Sequence, residues 1–149
     1  MTFLFEENQK FTQCWFWSVL FFSFILPITP EINNPPASYL LVMIFTLLFV
    51  YSMKLRVCVN NKGVYYQFFP FHLKLQHIKL EDIKSIEAVK YSPIRDYGGW
   101  GIRYGFKGKC YNVKGNFGVK VFLKNGSQIL FGSQKHQKLE NSLKKIILR

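Results

Sequence analysis

Charge is nearly absent from residues 11–53, where Glu31 is the single charged side chain. Pathways for ions or protons across lipid use ionisable residues inside the apolar segments. Their absence argues against a channel, a pump or a transporter. The stretch is instead typical of an anchor.

Cysteine is scarce, and the three that occur, Cys14, Cys58 and Cys110, form no CxxC pair. An odd number at such spacing argues against a disulfide framework. Free thiols are typical of a reducing compartment. Cys58 and Cys110 lie among apolar residues, so we expect both to be buried.

The sequence contains no combination of residues typical of catalysis or of metal binding. His72 and His77 are five positions apart on a strand-like stretch and would point to opposite faces, whereas zinc sites need three or four convergent ligands. Residues 98–101 (GGWG) lack the strand–helix context and the GK[ST] ending of a phosphate loop. We therefore expect neither an enzyme nor a cofactor.

Two long apolar segments, residues 11–28 and 37–53, flank a turn rich in proline and asparagine. As helices they would be about 27 and 26 Å long, near the lower limit for crossing a bilayer. Neither segment shows the regular polar face of a core helix. The sequence thus predicts a transmembrane hairpin. Lys54 and Arg56 follow it while the turn has no cation, which predicts that both termini are cytoplasmic.

Beyond residue 53 apolar and polar residues alternate, which indicates β-strands. Strands are predicted at about 55–60, 64–69, 85–91, 110–113, 119–123 and 127–131. Asn125 and Gly126 predict a tight hairpin turn. Ser133 is expected to cap a final helix that begins at Gln134. The residues expected along the buried face of this helix are Leu139, Leu143 and Ile146.

Three pieces of the sequence carry a resemblance to a known family: residues 91–105 (YSPIRDYGGWGIRYG), residues 111–119 (YNVKGNFGV) and the step from Gly132 to Ser133 before the last helix. With the apolar hairpin in front, the chain resembles a bacterial membrane-anchored pleckstrin-homology-like (PH-like) protein. The resemblance implies an α+β fold, in which a two-helix transmembrane hairpin precedes a PH-like antiparallel β-barrel or sandwich capped by a C-terminal α-helix.

The same resemblance implies a domain organisation and a location. Residues 1–53 would hold the N-terminal tail and the hairpin, and residues 54–149 would form a cytoplasmic PH-like domain. The protein would be a multi-pass protein of the cytoplasmic membrane. The resemblance implies little about function, because this fold serves lipid-binding, protein-binding and scaffolding roles.

The glycine-rich segment 95–103 (RDYGGWGIR) is the candidate binding site. It combines two cations suited to anionic groups, an aromatic anchor, and glycines that allow a partner to approach the backbone. The candidate residues are Arg95, Gly98, Gly99, Trp100, Gly101 and Arg103. The alternative is an architectural loop, in which Asp96 pairs with one arginine and the indole plugs the barrel.

The charge of the chain suggests its partners. From Lys54 onward 15 Lys and 4 Arg stand against 5 acidic residues, a net charge of +14. Such a domain attracts anionic lipid or acidic protein, and we place nucleic acid below both. The sequence predicts a non-enzymatic binding or scaffolding module whose partner is an anionic leaflet or a protein. The alternative is a packing subunit of a larger membrane complex, and the oligomeric state stays open.

Overall fold

A computed structural model describes residues 3–25, 37–105 and 108–148 of the chain. These residues divide into two compact units. A helical unit comprises Lys10–Met53, and a β unit comprises Met1–Gln9 together with Lys54–Arg149. The N-terminal nine residues thus belong with the β unit, although the helical unit separates them from it in the sequence.

In its described part, the helical unit consists of two helices, α1 (Cys14–Ile25) and α2 (Ala37–Ser52). They run antiparallel, because the rings of Trp17 and Tyr51 lie 6.5 Å apart and those of Phe24 and Tyr39 lie 6.3 Å apart. α1 begins only after Gln13, whose carbonyl accepts the Phe16 and Trp17 amides. None of the described residues on either helix is fully buried.

The predicted transmembrane hairpin is wrong. α1 has 12 residues and α2 has 16, so they are about 18 and 24 Å long against a hydrocarbon core of about 30 Å. Within the described part of the chain, no helix combines the length and the apolarity that crossing a bilayer requires. The predicted multi-pass location with cytoplasmic termini is therefore also wrong. The predicted turn between the segments lies in residues 26–36, outside the described residues.

The first sheet of the β unit has four strands in sequential order. These are β1 (Phe5–Lys10), β2 (Lys54–Asn60), β3 (Gly63–Phe69) and β4 (Gln76–Lys79). β2 and β3 pair antiparallel through a tight turn, as the sequence predicts. β1 was not predicted, because it buries Glu7 and Gln9 alongside Phe5 and so lacks the usual apolar alternation.

The second sheet has five strands in the order β5-β8-β9-β7-β6. These are β5 (Ile83–Lys90), β6 (Gly101–Gly105), β7 (Gly108–Asn112), β8 (Phe117–Leu123) and β9 (Gln128–Gly132). A short helix, α3 (Pro93–Tyr97), connects β5 to β6. β7 and β9 pair parallel, whereas the other neighbours in this sheet pair antiparallel.

The expected PH-like barrel is wrong as well. The chain is an α+β protein with two separate sheets, which do not close into a barrel, and a C-terminal helix. Side-chain alternation fixes which residues point inward, but it does not fix which strands become neighbours. The parallel pairing of β7 with β9 is one such choice of neighbour, which alternation along the strands does not specify. The resemblance to membrane-anchored PH-like proteins is therefore not supported.

The last helix, α4 (His136–Ile147), packs against β2, β5 and β8. Its buried residues are Leu139, Leu143 and Ile146, which confirms the predicted face. Its predicted start is wrong, because Ser133 lies before the helix and Lys135 occupies the N-cap position. The Ser133 hydroxyl instead accepts the Lys135 amide and donates to Glu7 of β1.

Candidate functional site

The predicted loop 95–103 consists of α3, a glycine-dominated turn and the start of β6. Gly98 ends α3 in the left-handed conformation, with φ of 72°, and its amide donates to the Ile94 carbonyl at 2.8 Å. Gly101 has φ of 109° and donates its amide to Asn112 Oδ1 at 2.9 Å. A side chain at either position would strain the backbone. These two glycines therefore have a role in the turn itself.

The charged residues of this loop face different surroundings. The Arg103 guanidinium folds back over the turn, where its Nε donates to the Trp100 carbonyl at 3.1 Å. Arg95 lies on α3 and lines a cavity of about 420 Å³, together with Lys90 and Asn116. Neither Trp100 nor Arg103 is among the described residues that line this cavity. The structure thus joins Arg103 to the Trp100 carbonyl, whereas Arg95 lines a cavity to which neither of them contributes.

Asp96 stabilises the N-terminal end of its own helix, α3. Its Oδ2 accepts the Ser92 amide at 2.9 Å, and the Ser92 hydroxyl accepts the Arg95 amide at 3.4 Å. This reciprocal arrangement satisfies amides at the start of α3. Beneath it, burial beside Cys110 and Asp96 raises the pKa of Tyr97 to about 12. The loop thus packs against a buried, uncharged tyrosine side chain. Its role in binding stays a prediction.

The outward faces of α1 and α2 form a large exposed apolar surface. Its most exposed members include Phe45 at 69 %, Leu41 at 66 % and Val19 at 62 %. Half-buried residues recur along α2 at Tyr39, Met43, Thr46, Leu47 and Val50, which is the spacing of a single contact face. Apart from Ser52 at its end, every other residue of α2 is exposed, and none of them is charged. Apolar patches of this kind on a protein mark interaction sites.

An aromatic and cationic cluster lies where the two sheets of the β unit meet. The Tyr66 ring of β3 lies 4.9 Å from the Tyr111 ring of β7 and 5.1 Å from the Phe131 ring of β9. The Lys109 ammonium sits 5.0 Å from the Tyr104 ring centre and 5.1 Å from that of Tyr111. Sequence reasoning missed this group, because its members come from strands whose pairing was not foreseen.

His72 belongs to the same cluster. Its ring lies 5.9 Å from that of Tyr66 and 5.6 Å from that of Tyr111. Burial, and then the nearby Lys109 charge, lower the pKa of the His72 imidazole below its ordinary value of 6.5. His77 lies apart from it, stacked at 4.1 Å on Tyr65. Among the described residues, no group of three or more His, Cys, Asp and Glu side chains could hold a metal ion.

The two strand cysteines are buried, as predicted. Cys58 and Cys110 are both inaccessible to solvent, and Cys14 is exposed. Burial raises the pKa of the Cys110 thiol to about 12. Burial is also the main cause of the raised pKa of Cys58. A thiol that stays protonated is a poor nucleophile, so these two cysteines serve in packing.

Neither a protein-family model nor any curated protein matches the chain. The exposed apolar helices and the basic charge of the chain are the features with the clearest physical consequences.

Proposed function

We propose that the chain is a non-enzymatic binding module whose partner is an anionic lipid surface. The observation that carries the proposal is the apolar outward surface of α1 and α2, where residues such as Phe45 and Leu41 are mostly exposed. Moving such residues out of water is favourable by about 25 cal/mol for each Å² of apolar area. The helices would contact lipid without crossing it.

The distribution of the exposed residues favours lipid over a protein partner. A helix that docks on one protein partner needs one apolar face, and its remaining surface is normally polar and charged. On α2 the contact face toward α1 is half-buried, and the remaining circumference is apolar or uncharged. A fluid apolar medium can cover such a circumference, whereas a single rigid partner covers only part of it.

The charge of the chain favours an anionic surface over a neutral one. The whole chain carries +12; Lys10 begins the helical unit and Lys54 follows it in the sequence. Each Lys or Arg close to an anionic leaflet adds about 1 kcal/mol to binding. Attraction by charge and burial of apolar side chains would therefore act together.

Flotation of the full chain with vesicles tests this function. We expect the chain to float with phosphatidylcholine vesicles that contain phosphatidylglycerol, and less with pure phosphatidylcholine. Phe45→Asp should weaken this binding about tenfold or more, since a charge would enter the apolar surface. Leu73→Asp is the matched control, because Leu73 is 78 % exposed but lies outside the helices. This variant should bind as the original chain does.

Two outcomes would overturn the proposal. The chain could stay with the aqueous fraction at every lipid composition while it forms a complex of fixed stoichiometry with another protein. That result would support the alternative, a packing subunit of a larger assembly. Loss of binding to the same extent in Leu73→Asp and Phe45→Asp would show that the apolar helices are not the contact surface.

A further inference from the structure

A lysine without an acidic partner lies in the aromatic cluster between the two sheets. Lys109 is half-buried, and its ammonium lies about equally far from the rings of Tyr104 and Tyr111. None of the salt bridges between described residues includes Lys109. Within the described part of the chain, its positive charge is thus balanced by π faces, which give weaker compensation than a carboxylate does.

The groups around Lys109 are donors or aromatic rings. His72 accepts the Phe68 amide through Nδ1 in a long hydrogen bond of 3.4 Å, so the neutral ring carries its proton on Nε2. The Tyr104 side chain is 77 % exposed, which leaves its hydroxyl open to solvent. Tyr66 and Tyr111 are buried, and their rings lie next to that of His72.

Among the described residues, Lys109 is the cation that acts on this cluster. The charged side chain that shifts the pKa of His72 is Lys109, which lowers it after burial has done so. The same lysine acts against the burial that raises the pKa of Tyr66. No Asp or Glu contributes to either shift. A bound anion would supply the missing negative charge.

We propose that Lys109, His72 and Tyr104 form a binding site for a phosphate-type anion. The Lys109 ammonium donates to the anion and neutralises it, His72 donates through Nε2, and the exposed Tyr104 hydroxyl donates from the rim. This site belongs to the β unit and does not depend on the apolar surface of the helices. The phosphate can belong to a small soluble ester or to a lipid headgroup.

The imidazole resonances of His72 provide the readout. In the full chain, we expect inorganic phosphate to shift these resonances in a saturable manner and to raise the pKa of His72. Sodium chloride at equal ionic strength should not reproduce the shift. Lys109→Gln should weaken phosphate binding about tenfold or more, which corresponds to the loss of one charge-assisted hydrogen bond. Lys120→Gln is the matched control.

Lys120 suits this purpose because its ammonium also lies over an aromatic ring, that of Phe122 at 5.8 Å, but away from His72. The proposed site would be overturned if Lys109→Gln and Lys120→Gln weakened phosphate binding equally. It would also be overturned if phosphate and chloride shifted the His72 resonances equally. Should Lys109→Gln fail to fold, Tyr104→Phe decides, since it removes only an exposed hydroxyl and is expected to weaken binding measurably. Unchanged binding in Tyr104→Phe would then overturn the site.

A second arm distinguishes the sources of the phosphate. Glycerol phosphate in solution is compared with phosphatidylcholine vesicles that contain phosphatidic acid. A response to both indicates recognition of the phosphate group itself, and a response to vesicles alone assigns the site to a lipid headgroup. Failure of vesicle flotation would leave the phosphate titration in solution unaffected, so the two proposals fail separately.

Discussion

At the scale of single residues, burial decides which of the three thiols can react. Cys14 is exposed, and Cys58 and Cys110 are closed off from solvent with raised pKa values. We expect one thiol per chain to react rapidly with a maleimide at neutral pH, and three after denaturation. Mass spectrometry of the labelled peptides identifies the reactive position. Rapid labelling of native Cys110 would contradict the packing around β7.

A second prediction at this scale concerns His72. Its pKa is lowered in the folded state, so the unfolded chain binds more protons there as the pH falls. Stability should therefore decrease as the pH falls below the ordinary value of 6.5, and level off below the folded-state pKa. Among the residues that the structure describes, the ionisable groups that face His72 are Tyr66, Lys109 and Tyr111.

Urea unfolding between pH 5 and 7.5 measures the effect. In the variant His72→Gln, the free energy of unfolding should change less with pH near 6.5 than it does in the original chain. His77→Gln is the control, since His77 is exposed and stacks on Tyr65 away from Lys109. An identical profile before and after His72→Gln would show that this side chain titrates alike in both states.

At the scale of elements, a carboxylate links the first strand to the last helix. Glu7 of β1 accepts the Gln134 amide at 3.0 Å and the Ser133 hydroxyl, just before α4. Gln9 of the same strand donates to the Gly132 carbonyl at 2.7 Å. Residues near the two ends of the chain are thus joined by buried polar contacts, which explains a strand whose inward side is largely polar.

Glu7→Gln tests this link while the side-chain shape is kept. A hydrogen bond to a charged group contributes about 1.5–3 kcal/mol, so we expect a loss of that order in the free energy of unfolding. Glu6→Gln is the control, because Glu6 makes an exposed ion pair with Arg56 at 2.7 Å. Exposed pairs contribute about 0–1 kcal/mol. Equal losses in the free energy of unfolding would show that Glu7 contributes no more to stability than the exposed Glu6 does.

The packing of α4 gives a second prediction for an element. Leu143 is completely buried on the face that meets β2, β5 and β8. Leu143→Ala should lower the free energy of unfolding by about 2–5 kcal/mol, since it leaves a cavity. Leu148→Ala changes the same side chain where it is exposed, and should change stability by less than about 0.5 kcal/mol. Calorimetry or urea titration compares them.

At the scale of the whole molecule, charge and apolar surface contribute separately to the proposed lipid binding. The net charge of +12 acts through solution and is screened by salt, but burial of apolar side chains is not. Between 0.1 M and 1 M salt the screening length falls from about 10 Å to about 3 Å. The two contributions can therefore be separated by ionic strength.

We expect the affinity for anionic vesicles to fall across this range until it approaches the affinity for neutral vesicles. Centrifugation of the full chain with each vesicle type at several salt concentrations measures it. The binding that remains at high salt should come from the apolar helices, so Phe45→Asp should remove it. An affinity that does not change with salt would mean that charge contributes nothing to the interaction.

The sequence by itself determined the features that depend on neighbouring residues along the chain. The tight turn between β2 and β3 follows from Asn60 to Gly63, and the buried face of α4 follows from the spacing of its leucines. The burial of Cys58 and Cys110 also follows from their apolar neighbours. Each of these rests on backbone preference or on periodicity, which are local properties.

Only the tertiary structure decided the rest. Hydropathy could not show that α1 begins at Cys14 rather than Phe11, so the apolar segments seemed long enough to cross a bilayer. Likewise β1 is held by contacts of Glu7 with residues more than 120 positions away, which no local pattern reveals. His72, in the loop after β3 of one sheet, meets the ring of Tyr111 on β7 of the other sheet, and Lys109 lies on that same strand. Such contacts depend on which strands become neighbours, and alternation along one strand does not specify its neighbours.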